Sequence, residues 1–260
     1  MQSRLRSGNR LAAAMLAAFV LTSAPARAEE AVDPDAATVL KSMSDYLGGL
    51  KAFTVSYDID LETVTYSGQK LQFSSSGDLA LERPGKLSAT RKGMVTDGGI
   101  VLDGTTATLY RNGGRAYFQM PATSIDAAVD TLRNDMEFEA PGLDFLYSKP
   151  FDLDTMDVDS GEHVGMAVVG GVQVHHLAFR GHQVDWQLWV TDGPKALPVK
   201  YVITSKWIAG APEYVLRLHD WNTEPSIDAA KFSYAAPAGA TKLELLPVDE
   251  TGDLSTDGDE

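Results

Sequence analysis

The sequence predicts a mainly β chain with some helix: a curved, incomplete antiparallel barrel of about eleven strands, with helices packed on its concave face. Three observations predict it. Apolar and polar residues alternate with a period of two over most of residues 53–120 and 162–222. Gly-containing turn pairs punctuate that alternation at short intervals. Two segments instead carry apolar residues at helical spacing, so each has one greasy face that something must cover.

The first 28 residues are expected to be an export signal. Arg4, Arg6 and Arg10 give a basic start, Leu11 to Leu21 an apolar run, and Ala26-Arg27-Ala28 a small-x-small cleavage pattern. The apolar run is well short of the roughly 20 residues that span a bilayer. Cleavage after Ala28 leaves 18 Lys and Arg against 36 Asp and Glu, a net charge of −18. Such a surface repels phosphate backbones, so nucleic acid is excluded as a partner. Cysteine is absent, so the fold must rest on its apolar core rather than on disulfides. No cysteine follows the signal for acylation either, and a protein free in the periplasm is expected. Residues 29–247 form one domain in this reading, and the acidic stretch 248–260, poor in apolar residues, is expected to be disordered.

Asp33 caps the first helix and Pro34 suits its first turn. Ala36, Val39, Leu40, Met43, Tyr46, Leu47 and Leu50 form its stripe, and Gly48-Gly49 weakens its end. Phe53, Val55, Tyr57, Ile59 and Leu61 then alternate with polar residues, as in a half-buried strand. Leu71, Phe73, Leu79 and Leu81 continue the pattern, with an irregularity expected at Gly77. Turns at Ser67-Gly68, Pro84-Gly85, Asp97-Gly98, Asp103-Gly104 and Asn112-Gly113 divide this stretch into a six-stranded meander. Ser124 caps a second helical block in which Ile125, Ala128, Val129, Leu132 and Met136 share a face, with a further turn or two at Gly142 to Tyr147. The remaining five strands run Val164 to Val169, Val172 to Arg180, Gln183 to Thr191, Leu197 to Lys206 and Glu213 to Asn222.

Catalytic and metal signals are weak. His175 and His176 are adjacent on a strand and point to opposite faces. With Gly181-His182 as a two-residue loop, Phe179 faces Val184, Leu177 faces Trp186 and His175 faces Leu188. His175 then lies on the apolar face as a hydrogen-bonded interior histidine, and His176 lies opposite Gln187 on the polar face. His163 and His219 sit on other strands without ligand spacing, so no metal is expected. Asp152, Asp154, Asp157 and Asp159 lack the glycine that the sixth position of a calcium loop needs. There is no nucleophile elbow and no phosphate-binding loop. No cofactor is expected and no catalytic residue is assigned. A hydrolase using His175 or His176 with Asp185 is the weakest of the readings.

The apolar face is the better signal. Trp186 and Leu188, Tyr201 and Ile203, and Leu216 and Leu218 point the same way by alternation, as do Tyr57, Ile59 and Phe73. With Leu47 and His175 they are the expected lining of a ligand pocket, and Met43 and Met136 on the helices are adaptable covers.

Certain words are more specific. Gly171 to Arg180, containing His-His-Leu-Ala-Phe-Arg, and Val184 to Trp189, containing Asp-Trp-Gln-Leu-Trp, resemble a family of periplasmic proteins known only as a domain of unknown function. Leu197-Pro198, Tyr201 to Lys206, Asp220-Trp221-Asn222, Glu82-Arg83-Pro84 and Leu146-Tyr147-Ser148 fit the same pattern. The match runs from about Pro34 to Pro247. Val174 stands where many relatives carry a cysteine, so no thiol role carries over. That family is similar to the LolA-like superfamily of outer-membrane lipoprotein carriers. The resemblance implies an incomplete barrel with helices closing an apolar cavity, and a soluble periplasmic carrier for a lipid or a lipoprotein acyl chain. The alternative is an envelope sensor or scaffold module that binds a protein partner without lipid transport. The chain is read as a monomer and not as an enzyme.

Overall fold

The computed structural model describes residues 31–113, 115–136, 138 and 140–244. The expected signal segment and acidic tail lie outside the described residues. Helix α1 (Pro34–Gly49) starts at Asp33, whose carboxylate accepts from the Asp35 N–H at 2.8 Å. Its stripe buries Ala36, Leu40, Met43 and Leu47.

Six strands follow as a meander: β1 (Ala52–Val64), β2 (Lys70–Glu82), β3 (Lys86–Gly93), β4 (Asp97–Asp103), β5 (Thr106–Arg111) and β6 (Ala116–Pro121). The helical block comes next. It is α2 (Ile125–Asp130), a π-helical turn (Thr131–Asp135) and a 3-10 helix (Pro141–Leu146). A second meander returns: β7 (Ser160–Val169), β8 (Val172–Arg180), β9 (Val184–Thr191), β10 (Pro198–Ser205) and β11 (Glu213–Asn222). Last come a 3-10 turn (Ala229–Phe232) and a short β12 (Thr241–Leu243).

The sheet order is β12-β6-β5-β4-β3-β2-β1-β11-β10-β9-β8-β7. The two meanders join where β1 pairs with β11, Tyr57 opposite Leu218 and Ile59 opposite Leu216. The ends, β12 and β7, do not meet, so the sheet curls without closing. This is the architecture that the LolA-like resemblance implies. It has one strand more than expected: β12 lies parallel on the free edge of β6, Thr241 opposite Ala116. Three residues after a long irregular stretch carry too little alternation to be read as a strand.

Two further details differ from the sequence reading. Between β8 and β9, Phe179 pairs with Trp186, Leu177 with Leu188 and His175 with Val190, a slip of two residues from the two-residue-loop register. The connection is wider because the Gly181 N–H bonds the Val184 carbonyl. A slip of two leaves each side chain on its face, so alternation cannot detect it. In β7 the register shifts between His163 and Gly165, and Gly165 has φ +138°.

One core occupies the concave side, where α1 and the helical block meet the inner faces of both meanders. Leu40, Met43 and Leu47 from α1, Ile125 and Leu132 from the block, and Leu81, Leu102, Leu177 and Leu188 from the sheet are 1% exposed or less. Tyr57 reaches across β2 at Gly77: a Cβ there would stand 1.8 Å from the Thr90 carbonyl oxygen and 2.7 Å from the tyrosine ring. The strand irregularity expected at Gly77 does not form, since β2 pairs with β1 through Gly77 without a register shift; the glycine instead makes room for the tyrosine.

Leu40→Ala removes a buried side chain between α1 and the sheet. It should cost about 2–5 kcal/mol by urea unfolding, whereas Val168→Ala, on the exposed edge, should change stability by less than about 0.5 kcal/mol.

Candidate functional site

The sequence predicts thirteen residues around an apolar pocket, ten from strand alternation and three from helical spacing, and the structure brings eleven of them into one core. Met43, Leu47, Ile59, Trp186, Leu188, Tyr201, Leu216 and Leu218 are buried there, and Tyr57, Met136 and Ile203 pack half-buried against them. Phe73 is half-buried outside that cluster, and His175 sits at its rim. Met43, Leu47 and Leu188 are 0% exposed. A void wide enough for an acyl chain would admit a water-sized sphere to its walls, so none lies against these three in this state.

What fills the concavity is aromatic. Phe151 inserts from the segment 147–159, its ring 4.8 Å from Phe145, 5.7 Å from Trp186 and 5.7 Å from Tyr201, edge-on to the last. Phe179 stacks on Trp186 at 4.1 Å. Phe151 holds φ +56°, a left-handed backbone that costs a bulky residue of the order of 1–3 kcal/mol. Sequence reasoning missed it. The signal was a lone aromatic beside Pro150 at the head of an acidic loop.

The block above this aromatic group is held by polar contacts. The Arg83 guanidinium donates to the carbonyls of Leu146 at 2.8 Å and Tyr147 at 2.9 Å. Ser148 bonds Asp126 through its N–H and its hydroxyl. Arg133 pairs with Asp144 at 2.6 Å, and the Tyr147 hydroxyl donates to Asp130 at 2.9 Å. Burial raises the Asp144 carboxyl above the usual range while Arg133 opposes the rise. Burial, then the bond to Asp130, pushes Tyr147 up to about 12. The Tyr57 hydroxyl donates to the Thr90 carbonyl at 2.7 Å, and burial pushes it, too, up to about 12.

Two open sites lie elsewhere. A polar groove of about 550 Å3 runs over β1 to β5, with Asp58, Asp78, Lys92, Asn112 and His219 on its walls. His219 is clamped between Asp220 at 2.8 Å and Asp58 at 3.3 Å. Its bond to Asp220 raises its pKa above 6.5, burial opposes the rise, and the charges of Asp220 and Asp58 add to it. Asp220 itself has φ +53°. A second recess, of about 1110 Å3, opens between the start of α1 and the ends of β7, β8 and β9, bounded by Asp33, His163, Phe179, Asp185 and Trp186 among others.

His175 and His176 keep their expected faces, but their partners differ, and His163, expected to stand alone, meets His175. His175 Nε2 contacts Asp192 at 3.2 Å and its Nδ1 contacts His163 at 3.1 Å. His176 lies opposite Trp189, stacks on it at 4.3 Å and bonds Gln187 at 2.9 Å. Asp185 pairs with Lys206 at 3.3 Å and lies 3.8 Å from Arg180, so the His–Asp185 dyad of the hydrolase reading does not form. In the acidic loop, Asp152 accepts from the Asp154 N–H and Asp157 from the His182 N–H. Among the described residues no three His, Asp or Glu side chains gather as metal ligands.

Residues 36–246 match the family model described as predicted periplasmic protein, DUF2092. The chain belongs to this family. No curated protein matches it. Among solved structures it is similar to LprF from Mycobacterium bovis, with 15% identity and a TM-score of 0.46 over 75% of this chain and 97% of that one. A LolA superfamily protein, NE2245, from Nitrosomonas europaea gives 10%, 0.36, 76% and 97%. The MucA/MucB complex of Pseudomonas aeruginosa gives 13%, 0.43, 78% and 62%. Likenesses this distant carry no functional inference. The DUF2092 family is predicted to be periplasmic, and among the described residues no helix is long and apolar enough to cross a membrane.

His219 carries a pH signature. A raised histidine pKa contributes stability that is fully present below 6.5 and is lost as pH rises through the raised value. The difference in urea midpoint between the parent and His219→Gln should therefore be largest on the acid side of 6.5 and close above it.

Proposed function

We propose that this DUF2092 protein is a periplasmic binding protein that takes a hydrophobic ligand, the acyl chain of a lipid or lipoprotein, onto its concave face by displacing Phe151. The strained aromatic insertion carries this reading. A bulky residue in a left-handed backbone persists only where its surroundings hold it, and such outliers gather at ligand clamps and switches. Phe151 stands on irregular chain, beneath a block broken into α, π and 3-10 pieces instead of one continuous helix. Its departure would free a site walled by Phe145, Trp186 and Tyr201, already apolar and already facing one another. The closed, filled core is then the empty carrier.

A second reading has its own observation. On the edge strand β7, Val164, Met166 and Val168 are 52%, 47% and 66% exposed, and residues 164–172 carry no charge and no proline. Natural edge strands are usually blunted by such residues. A protein partner could add a strand here, as the envelope sensor or scaffold reading requires.

Two experiments separate these readings. Fatty-acid fluorescent probes should bind the parent, and Phe151→Gly, which removes both ring and strain, should bind them at least about tenfold tighter, a difference of roughly 1.4 kcal/mol. If neither protein binds a probe and native mass spectrometry of envelope-purified material shows only the bare chain, the carrier reading is wrong. A photo-crosslinker at Met166 that captures one defined envelope protein in cells, with no lipid found, would establish the second reading in its place.

A further inference from the structure

We propose that His163 and His175 form a two-imidazole binding site for a borderline transition-metal cation of the zinc and copper class, with Asp192 as its orienting carboxylate. The site is built by the irregularity in β7. Met166 pairs with His175 and Gly165 with His176, but His163 pairs with Leu177. Continued without the shift, the register would place His163 opposite Ala178, on the outer face with Val174 and His176. The extra residue, Val164, turns His163 onto the inner face, the face of His175 and Leu177. Bulges that re-aim one side chain recur beside functional sites, and here the result is two imidazoles in contact.

The spacing of the two ring nitrogens is one that a shared cation fits. His163 Nε2 and His175 Nδ1 stand 3.1 Å apart. Two ring nitrogens each about 2.0–2.1 Å from a single zinc ion are separated by roughly 3–3.4 Å at ordinary coordination angles. The far nitrogen of His175 meets Asp192 Oδ1 at 3.2 Å. A carboxylate that accepts from the outer N–H of a histidine fixes its tautomer and leaves the inner nitrogen as a lone pair. Without metal, His163 Nε2 donates its hydrogen to that lone pair. When the cation enters, His163 exchanges through solvent to its Nδ1–H tautomer, with no net loss of a proton, and two lone pairs face the ion. Asp192 is thus a positioning residue and not a ligand, and among the described residues no third side chain joins the pair.

The surroundings suit a cation whose remaining positions stay open. His163 borders the 1110 Å3 recess, and Asp33 and Glu162 stand on the same recess. Asp33 also holds the strand, accepting from the His163 N–H at 3.4 Å. Imidazole favours zinc, copper and nickel over the hard cations. The remaining histidines are built for other tasks: His176 is stacked on Trp189 on the outer face, His182 lies near Trp207, and His219 is held by two carboxylates.

The test is a calorimetric titration of the purified protein with zinc ions alone, repeated with copper ions. One ion per chain should bind the parent. His163→Ala and His175→Ala should each weaken binding at least tenfold, Asp192→Asn by about tenfold, and His176→Ala and His219→Ala not at all. Nuclear magnetic resonance should show zinc-dependent shifts of two imidazole side chains, those of His163 and His175, a readout that a purely structural pair would not give. Thermal unfolding without metal checks that the variants fold. No saturable binding by the parent, or binding that survives in the double variant His163→Ala, His175→Ala, would overturn the assignment.

Discussion

The structure depends on covering the inner face of a sheet that curls but does not close. A barrel of about eight strands can fill itself from its own strands, but twelve strands enclose too wide an interior for that. An open one leaves its inner apolar face to water unless other elements lie across it. Here α1 contributes a single stripe, and the helical block contributes three short pieces, none with the length to cover the sheet alone. The gap between them is filled by Phe151 and Phe145 against Trp186 and Tyr201. Arg83 fixes the block by donating to two carbonyls at its end, and Gly48 lets α1 come so close to the Ser148 carbonyl that a Cβ would stand 2.3 Å from it. Lid, plug and anchor are therefore one assembly. A ligand that moves one must move the others.

Much of the fold was legible in the sequence because its signals are local. The Asp33 cap, the stripe of α1, the Ser124 cap and the two meanders all follow from periodicity and turn chemistry. The words that carry the family resemblance turn out to touch one another. Arg83 bonds Leu146 and Tyr147; Trp221 donates to Pro198 at 3.0 Å and packs on Phe53; Phe179 stacks on Trp186, and His176 on Trp189. These words specify pairings that hold the sheet and its cover. They are signatures of the fold.

The site was less legible, for reasons that are equally physical. The β8–β9 slip keeps every side chain on its face, so it left no trace in the pattern. The shift in β7 reverses a face but adds only one residue, and a strand read alone cannot show which partner residue it skips. His163 therefore looked isolated, and its contact with His175 exists only once the register is known. Phe151 was hidden by its neighbours, because an acidic loop has no period from which its one aromatic could be assigned inward.

The two edges of the sheet are treated differently, and this asymmetry places the functional features. The chain covers the β6 edge with its own β12. At the β7 edge, among the described residues, Val32 bridges at Gly161 and the Asp33 carboxylate accepts from the His163 N–H, while Val164 to Val169 pair only with β8. The recess, the imidazole pair and the exposed Val164, Met166 and Val168 all gather on that side. The segment that carries Phe151 also ends there, since Asp159, whose N–H bonds the Arg180 carbonyl at 2.7 Å, leads directly into Ser160 at the start of β7. Phe151 cannot leave the core without slackening the stretch of chain that anchors this strand. The centre of the concavity and its bare rim are thus joined by eight residues of irregular backbone, the shortest covalent path by which an occupant of one could be felt at the other.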